Sequence, residues 1–197
     1  MNLSGIELFT KRLRLVPLGP EHVDLMLSWV TDPAVTNNSQ FWRDHSDRAS
    51  VEAWVAAQVE DDRSAYFAAF MRPELDTKGL GYLGNVHLLN INKIHDRCQG
   101  GITLRQAAWN HGFAQEMMPR LMRYAFSGLG MNKIYLELFT TNEKGIHLWT
   151  KVGFKVEGIL REHYLLDGEY HDMLSLSFLR SEFDRQYSED GSKIESP

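Results

Sequence analysis

The chain carries one cysteine in 197 residues, which rules out a disulfide within it. Cys98 falls in a strand-like run and reads as a small buried hydrophobe rather than a nucleophile, in keeping with a reducing, cytoplasmic setting. No apolar run approaches the ~20 residues of a membrane-spanning helix. The N-terminus has no basic-then-apolar export pattern, and no membrane association is expected. The chain has eight histidines but neither a His-x-x-x-His spacing nor a Cys/His cluster, so no metal is expected. A Gly-Lys-Ser/Thr phosphate motif is also missing, which argues against a nucleotide hydrolase. The net charge of −5 lacks the basic excess of a nucleic-acid binder. With no repeat and no low-complexity linker, residues 1–187 are expected to form one domain, and the polar stretch 188–197 a frayed tail.

What is present is an alternation of strand and helix patterns. Leu8 to Val16 sets Leu13 and Leu15 against Arg12 and Arg14 and reads as a first strand. Gly19-Pro20 opens a helix with Val23, Met26, Leu27 and Val30 on one face, and Asp32-Pro33 caps a short second turn. Residues 46–60 form a helix with Val51, Trp54, Val55 and Val59 on one side. Strands follow over 66–71, 81–90 and 97–104, then a helix from Phe113 with an apolar stripe of Ala114, Met117, Met118, Leu121, Met122 and Ala125. Pro119 inside it predicts a bend. A strand over 131–140, a helix over 143–151, and a hairpin of 154–166 with 170–179 across Asp167-Gly168 complete an α/β mixture around one sheet.

Two segments stand out. Trp109-Asn110-His111-Gly112-Phe113-Ala114-Gln115-Glu116 lies between the apolar run Ile102-Thr103-Leu104 and the helix that follows. Small residues at 112 and 114 let backbone approach a ligand, and the free N–H groups of a helix start favour a diphosphate. The second segment, Asn142 to Phe154, is a helix ending in Gly-Phe before another strand.

Together these segments resemble the GNAT superfamily of acetyl-CoA-dependent N-acetyltransferases. There a Gln/Arg-x-x-Gly-x-Gly/Ala loop holds the pyrophosphate, and an Asn-x-x-Ser/Ala…Tyr-x-Lys-x-Gly-Phe segment completes the cofactor groove. The likeness runs from Leu8 to Phe183. It is nearest the branch that holds ribosomal-protein N-terminal acetyltransferases and bacterial spermidine acetyltransferases. It implies one mixed, mostly antiparallel sheet, splayed at the cofactor site and flanked by helices. It also implies acetyl-CoA as acyl donor. The residues expected to hold the coenzyme are Ile102, Thr103 and Leu104 through backbone, Trp109, Asn110, His111, Gly112, Phe113 and Ala114 in the loop, and Asn142, Gly145, Trp149 and Lys151 beyond it. Asn142 also reads as a helix cap.

The acid–base positions depart from the family. The resemblance puts Gln99 where relatives carry a glutamate base, and Trp149 where they carry a tyrosine acid. Glutamine cannot accept the proton, and an indole N–H has none to transfer. The candidate replacements are solvent, His87 as base on the central strand, and His147, which helical geometry turns away from Trp149. On the acceptor side stand Trp29, Asn37, Asn38, His87 and Tyr164, with acidic Glu157, Glu162, Asp167, Glu169 and Asp172 along the last hairpin. The reading is a cytoplasmic, oligomeric enzyme that transfers acetyl directly to the primary amine of a polyamine, another small amine or a protein N-terminus. The alternative is a non-catalytic acyl-CoA-binding protein of the same fold, motivated by Gln99 and Trp149.

Overall fold

The computed structural model describes residues 3, 5–37 and 40–187, the side chains of 40 and 41 excepted. Asn38 and the 188–197 tail lie outside the described residues. The chain begins with two short strands, β1 (Leu8–Phe9) and β2 (Leu13–Pro17), paired antiparallel with Leu8 opposite Leu15. One long strand was expected here. A turn interrupts it, fixed by Leu13 N–H donating to Thr10 Oγ1 at 2.9 Å. Helices α1 (Val23–Val30), α2 (Pro33–Thr36), α3 (Gln40–Asp44) and α4 (Arg48–Glu60) follow. Then come β3 (Ala65–Met71), β4 (Tyr82–Asn92), β5 (Arg97–Leu104), α5 (Phe113–Arg123), β6 (Lys133–Phe139), α6 (Glu143–Val152), β7 (Lys155–Leu166), β8 (Glu169–Leu179) and α7 (Arg180–Gln186). The strands form one mixed sheet in the order β1-β2-β3-β4-β5-β6-β8-β7. Its recorded parallel ladder, β5 with β6, is short: it runs from Arg97↔Lys133 to Gln99↔Tyr135, while β6 continues against β8 as far as Phe139↔Met173.

The fold divides into two compact units. The first comprises the chain through His87 together with Gly101–Phe113. Its core holds Leu13, Leu15, Met26, Trp29, Phe67 and Leu83, each at most 1% exposed. Side-chain alternation explains β2, where Leu13 and Leu15 point inward and Arg14 outward to Glu7. The sequence stripe on α4 holds for Val51 and Val55, whereas Val59 is 48% exposed. Val59 sits in the last turn, two residues before the C-cap Asp61.

The second unit comprises Leu88–Gly100 and the chain from Ala114 on. Every residue of the α5 stripe is buried, from Ala114 to Ala125. The α-helix continues through Pro119 to Arg123 and passes into a π turn at Tyr124–Gly128. Phe154 stacks on Phe178 at 5.5 Å, and Phe183 stacks on Tyr187 at 4.9 Å. This packing accounts for α7, a seven-residue helix with too few turns to show a period in sequence. The outer strand β7 is interrupted by register shifts between Val156 and Gly158 and between Leu160 and Tyr164. At the second, Glu162 takes φ 50° and donates its N–H to Asp172 Oδ1 at 2.8 Å.

Within the first unit, Gly84 in β4 takes φ +140°, and a Cβ there would collide with the Thr103 carbonyl and the Leu104 backbone. Glycine at 84 is what lets β4 close on the end of β5. Gly84→Ala is therefore expected to lower stability by about 1–3 kcal/mol. Urea unfolding of the variant beside the parent measures it, and an unchanged midpoint contradicts this account.

Candidate functional site

The loop after β5 has the backbone its sequence suggests. Asn110 takes φ 62° and Gly112 φ 74°, both left-handed, and both are exposed. Asparagine and glycine are the residues that adopt this conformation most readily. Alternating conformations of this kind turn successive N–H groups toward one concavity, which suits an anion. Phe113 and Ala114 then open α5 and are buried, at 3% and 9% exposure. The half-buried Trp109 indole N–H donates to the Leu104 carbonyl at 2.8 Å. Trp109 thus ties the loop to the strand that precedes it, and its side chain brings no charge.

That strand has its own distinction. Ile102, Thr103 and Leu104 are each only half-buried, although β5 is the fifth of eight strands. A central strand with accessible side chains, leading into an anion-favouring loop, is suited to an elongated ligand that ends in phosphates.

His87 of β4 stands over this strand. A Cβ at Gly101 would fall on its Nε2, so the glycine makes room for the imidazole. The ring packs 4.7 Å from Tyr66. Part of its surface stays accessible, yet desolvation lowers its pKa to about 4 and keeps it neutral at pH 7. Its unshared ring nitrogen can accept a hydrogen bond or a proton in that state.

Behind His87 lies a row of rings that sequence reasoning did not assemble. Trp29 meets Trp42 at 5.3 Å, Trp42 meets Trp54 at 4.9 Å, Trp54 meets Tyr66 at 5.0 Å, and Tyr66 meets His87. Most contacts are edge-to-face, the favoured aromatic geometry. Burial raises the Tyr66 phenol well above its usual range, and Asp61 adds to the effect. Trp42 and Trp54 are half-exposed. Trp29, expected at the acceptor, is 1% exposed with its indole N–H on Tyr82 Oη at 3.1 Å. It cannot touch a substrate directly, and this corrects the sequence assignment. Asn37 is exposed at the end of α2, where its carbonyl accepts from Arg43 at 2.8 Å.

In the second unit Asn142 is the N-cap of α6, its Oδ1 accepting from Gly145 N–H at 2.9 Å. The Nδ2 hydrogens and the second lone pair of Oδ1 take no part in this cap. Gly145 is constrained by the same cap, since a Cβ there would come within 2.8 Å of Asn142 Nδ2 and 2.9 Å of Leu138 Cδ1. Trp149 is 6% exposed and packs edge-on against Phe154 at 5.0 Å, and its indole N–H is no acid. Lys151 and His147 are exposed. Gln99 accepts from Asn90 Nδ2 at 3.1 Å. Tyr164 lies edge-on to Phe139 at 5.2 Å, in a small cluster with Leu160, Leu166 and Met173.

Part of the acidic hairpin is already engaged. Glu157 binds Lys133 at 2.6 Å and Ser177 at 2.9 Å, and the Lys133 bond holds its carboxyl below the usual range. Asp172 holds the β7 bulge. Burial pushes the Cys98 thiol up to about 12, which removes it as a nucleophile. Among the described residues no cluster could hold a metal ion, and no helix is long and apolar enough to cross a membrane.

The sequence profile of the acetyltransferase (GNAT) domain matches residues 12–155. The chain belongs to this family. It is similar to the spermidine N(1)-acetyltransferase of Vibrio cholerae serotype O1, 34% identical over 101 residues, covering 51% of this chain and 58% of that protein. It is also similar to the uncharacterized N-acetyltransferase p20 of Bacillus licheniformis, 26% identical across 89% of this chain and 97% of p20. The matches to spermidine acetyltransferases span about three fifths of those proteins' length. Among solved structures, the fold matches the spermidine N-acetyltransferase from Vibrio cholerae in complex with CoA and spermine, with a TM-score of 0.75 at 24% identity, covering 87% of this chain and 97% of that one.

The depressed His87 pKa has a signed consequence. An unfolded histidine titrates near ~6.5, so between that value and about 4 the unfolded chain binds a proton that the folded chain refuses. The His87 contribution to stability is full above pH 6.5 and is lost as pH falls toward 4. Urea unfolding at pH 7 and pH 4.5 is expected to show a smaller drop for His87→Phe than for the parent, and equal drops contradict this placement.

Proposed function

We propose that the protein is an acetyl-CoA-dependent N-acetyltransferase whose acceptor is a primary amine, with residues 1–187 acting as one acetyltransferase domain. One observation carries the reading. A central strand left accessible at Ile102–Leu104 runs into a loop with left-handed Asn110 and Gly112 and on into the start of α5. Backbone amides of Asn110 to Ala114 take the diphosphate, and the backbone of 102–104 pairs with the amide-rich pantetheine arm.

Transfer is direct. The amine nitrogen bonds to the thioester carbonyl carbon, the C–S bond breaks, and the amine proton leaves as the coenzyme departs as thiol. Among the described residues no activated nucleophile supports a covalent acetyl intermediate. His87, neutral and beside Gly101, is assigned to receive the amine proton. The thiolate is a good enough leaving group to take its proton from solvent.

The acceptor is assigned to the row of rings ending at His87. The faces of Trp54 and Trp42 favour an organic ammonium, which then loses its proton beside His87. Together with the likeness to spermidine acetyltransferases this favours a polyamine or another small amine over a protein N-terminus. A cytoplasmic location and assembly into a homo-oligomer belong to the same reading.

Thiol release from acetyl-CoA, with spermidine in one arm and a mixture of peptides of varied N-termini in the other, tests the assignment. Release with spermidine is expected, and release with peptides alone moves the chain to the N-terminal acetyltransferases. Gly112→Val forces a branched side chain into a left-handed position and is expected to abolish coenzyme binding by calorimetry. Trp54→Ala is expected to raise KM for the amine about tenfold while KM for acetyl-CoA stays put. Equal changes in both would remove the ring row from the acceptor site.

A further inference from the structure

The loop that we assign to the diphosphate is held by a residue 99 positions away in sequence. Arg12 sits in the turn between β1 and β2, a turn pinned by Thr10 N–H donating to the Leu13 carbonyl at 3.0 Å. Its guanidinium Nη2 donates to the carbonyl of His111 at 3.1 Å, and its Cζ lies 4.7 Å from the centre of the Phe113 ring. The His111 ring stacks on Phe113 at 5.3 Å. The half-buried Arg12 therefore grips the loop at the residue between the two left-handed positions and at the first residue of α5.

That carbonyl matters for an anion. An oxygen in the middle of a loop offering amides carries partial negative charge, and turned toward a diphosphate it would repel it. A guanidinium that captures the oxygen fixes its direction and offsets its charge. Arginine remains charged at any working pH, and its flat face suits the Phe113 ring. Trp109, its indole N–H bonded to the Leu104 carbonyl, is an uncharged side chain at the start of the loop.

We propose that Arg12 is a positioning residue for the coenzyme diphosphate, holding the His111 carbonyl away from it and supplying positive charge beside the loop amides. The inference rests on the acetyl-CoA reading above. It differs from a simple tie between strand and loop, because its effect on binding is partly electrostatic.

The test is calorimetric titration of the full chain with CoA at low and at 0.5 M salt, on the parent, Arg12→Gln and Arg12→Lys, each with its ligand-free unfolding midpoint. At low salt Arg12→Gln is expected to raise Kd about tenfold, the range of a charge-assisted hydrogen bond. The gap to the parent is expected to narrow at 0.5 M, where screening is strong. Arg12→Lys keeps the charge but loses the flat fork, so a smaller loss with parent-like salt sensitivity is expected. Should Arg12→Gln fail to fold, the Arg12→Lys comparison decides alone. Parent-like affinity in the variants overturns the proposal, as does a loss that is equal at both salts and matched by a fall in the unfolding midpoint. A parent that binds no CoA overturns the acetyl-CoA reading itself, which separates that failure from an error about Arg12.

Discussion

The close approach of β4 to β5 in the first unit depends on side chains that are absent. Gly84 lets the β4 backbone press against Thr103 and Leu104, and Gly101 leaves space for the His87 imidazole. A methyl group at either position would meet backbone carbonyl or ring nitrogen. The strand assigned to the coenzyme arm, the histidine assigned to the amine proton and the row of rings behind it are all referenced to these two positions. Glycine's entropic penalty within a strand is about 0.5–1 kcal/mol, and here it is accepted for access to backbone.

The chemistry this arrangement supports is mostly positional. Gln99 and Trp149 have no proton to exchange, and His87 is a weak base because burial depresses it. General acid–base catalysis is typically worth 10²- to 10⁴-fold, whereas orienting two reactants recovers more. A thioester is already activated, so an enzyme of this kind can rely on holding amine and carbonyl together. The aromatic row, as assigned, would serve that end through ring faces and edges, and two of the hairpin carboxylates are already engaged, Glu157 by Lys133 and Asp172 by the Glu162 amide.

What sequence disclosed and what it hid follow from the range of the interactions. Gly112, the start of α5 and the Asn142 cap are local features, decided by residues within one turn, and each was readable from type and spacing. The stripe on α5 was legible because an 11-residue helix shows several periods, while α3 and α7, at five and seven residues, show too few. Arg12 was invisible as a loop partner because its contact spans 99 residues. The rings at 29, 42, 54, 66 and 87 come from five different elements, and only the fold lines them up. Trp29 was misread for a related reason. Proximity to the acceptor helices says nothing about which way a side chain faces, and its indole turns inward to Tyr82.

The two irregularities in β7 bear on how copies of the chain can meet. An outermost strand of 12 residues that leaves Val156, Ile159 and Leu165 more than half exposed is the kind of edge on which foreign strands add. Here the pleat is broken twice, and one of the interrupted amides, that of Glu162, is already occupied by a carboxylate from β8. A visiting strand would find its register lost after a few residues. The apolar side chains are exposed on the strand faces, while the two breaks in the pleat work against growth into a continuous ribbon of sheets.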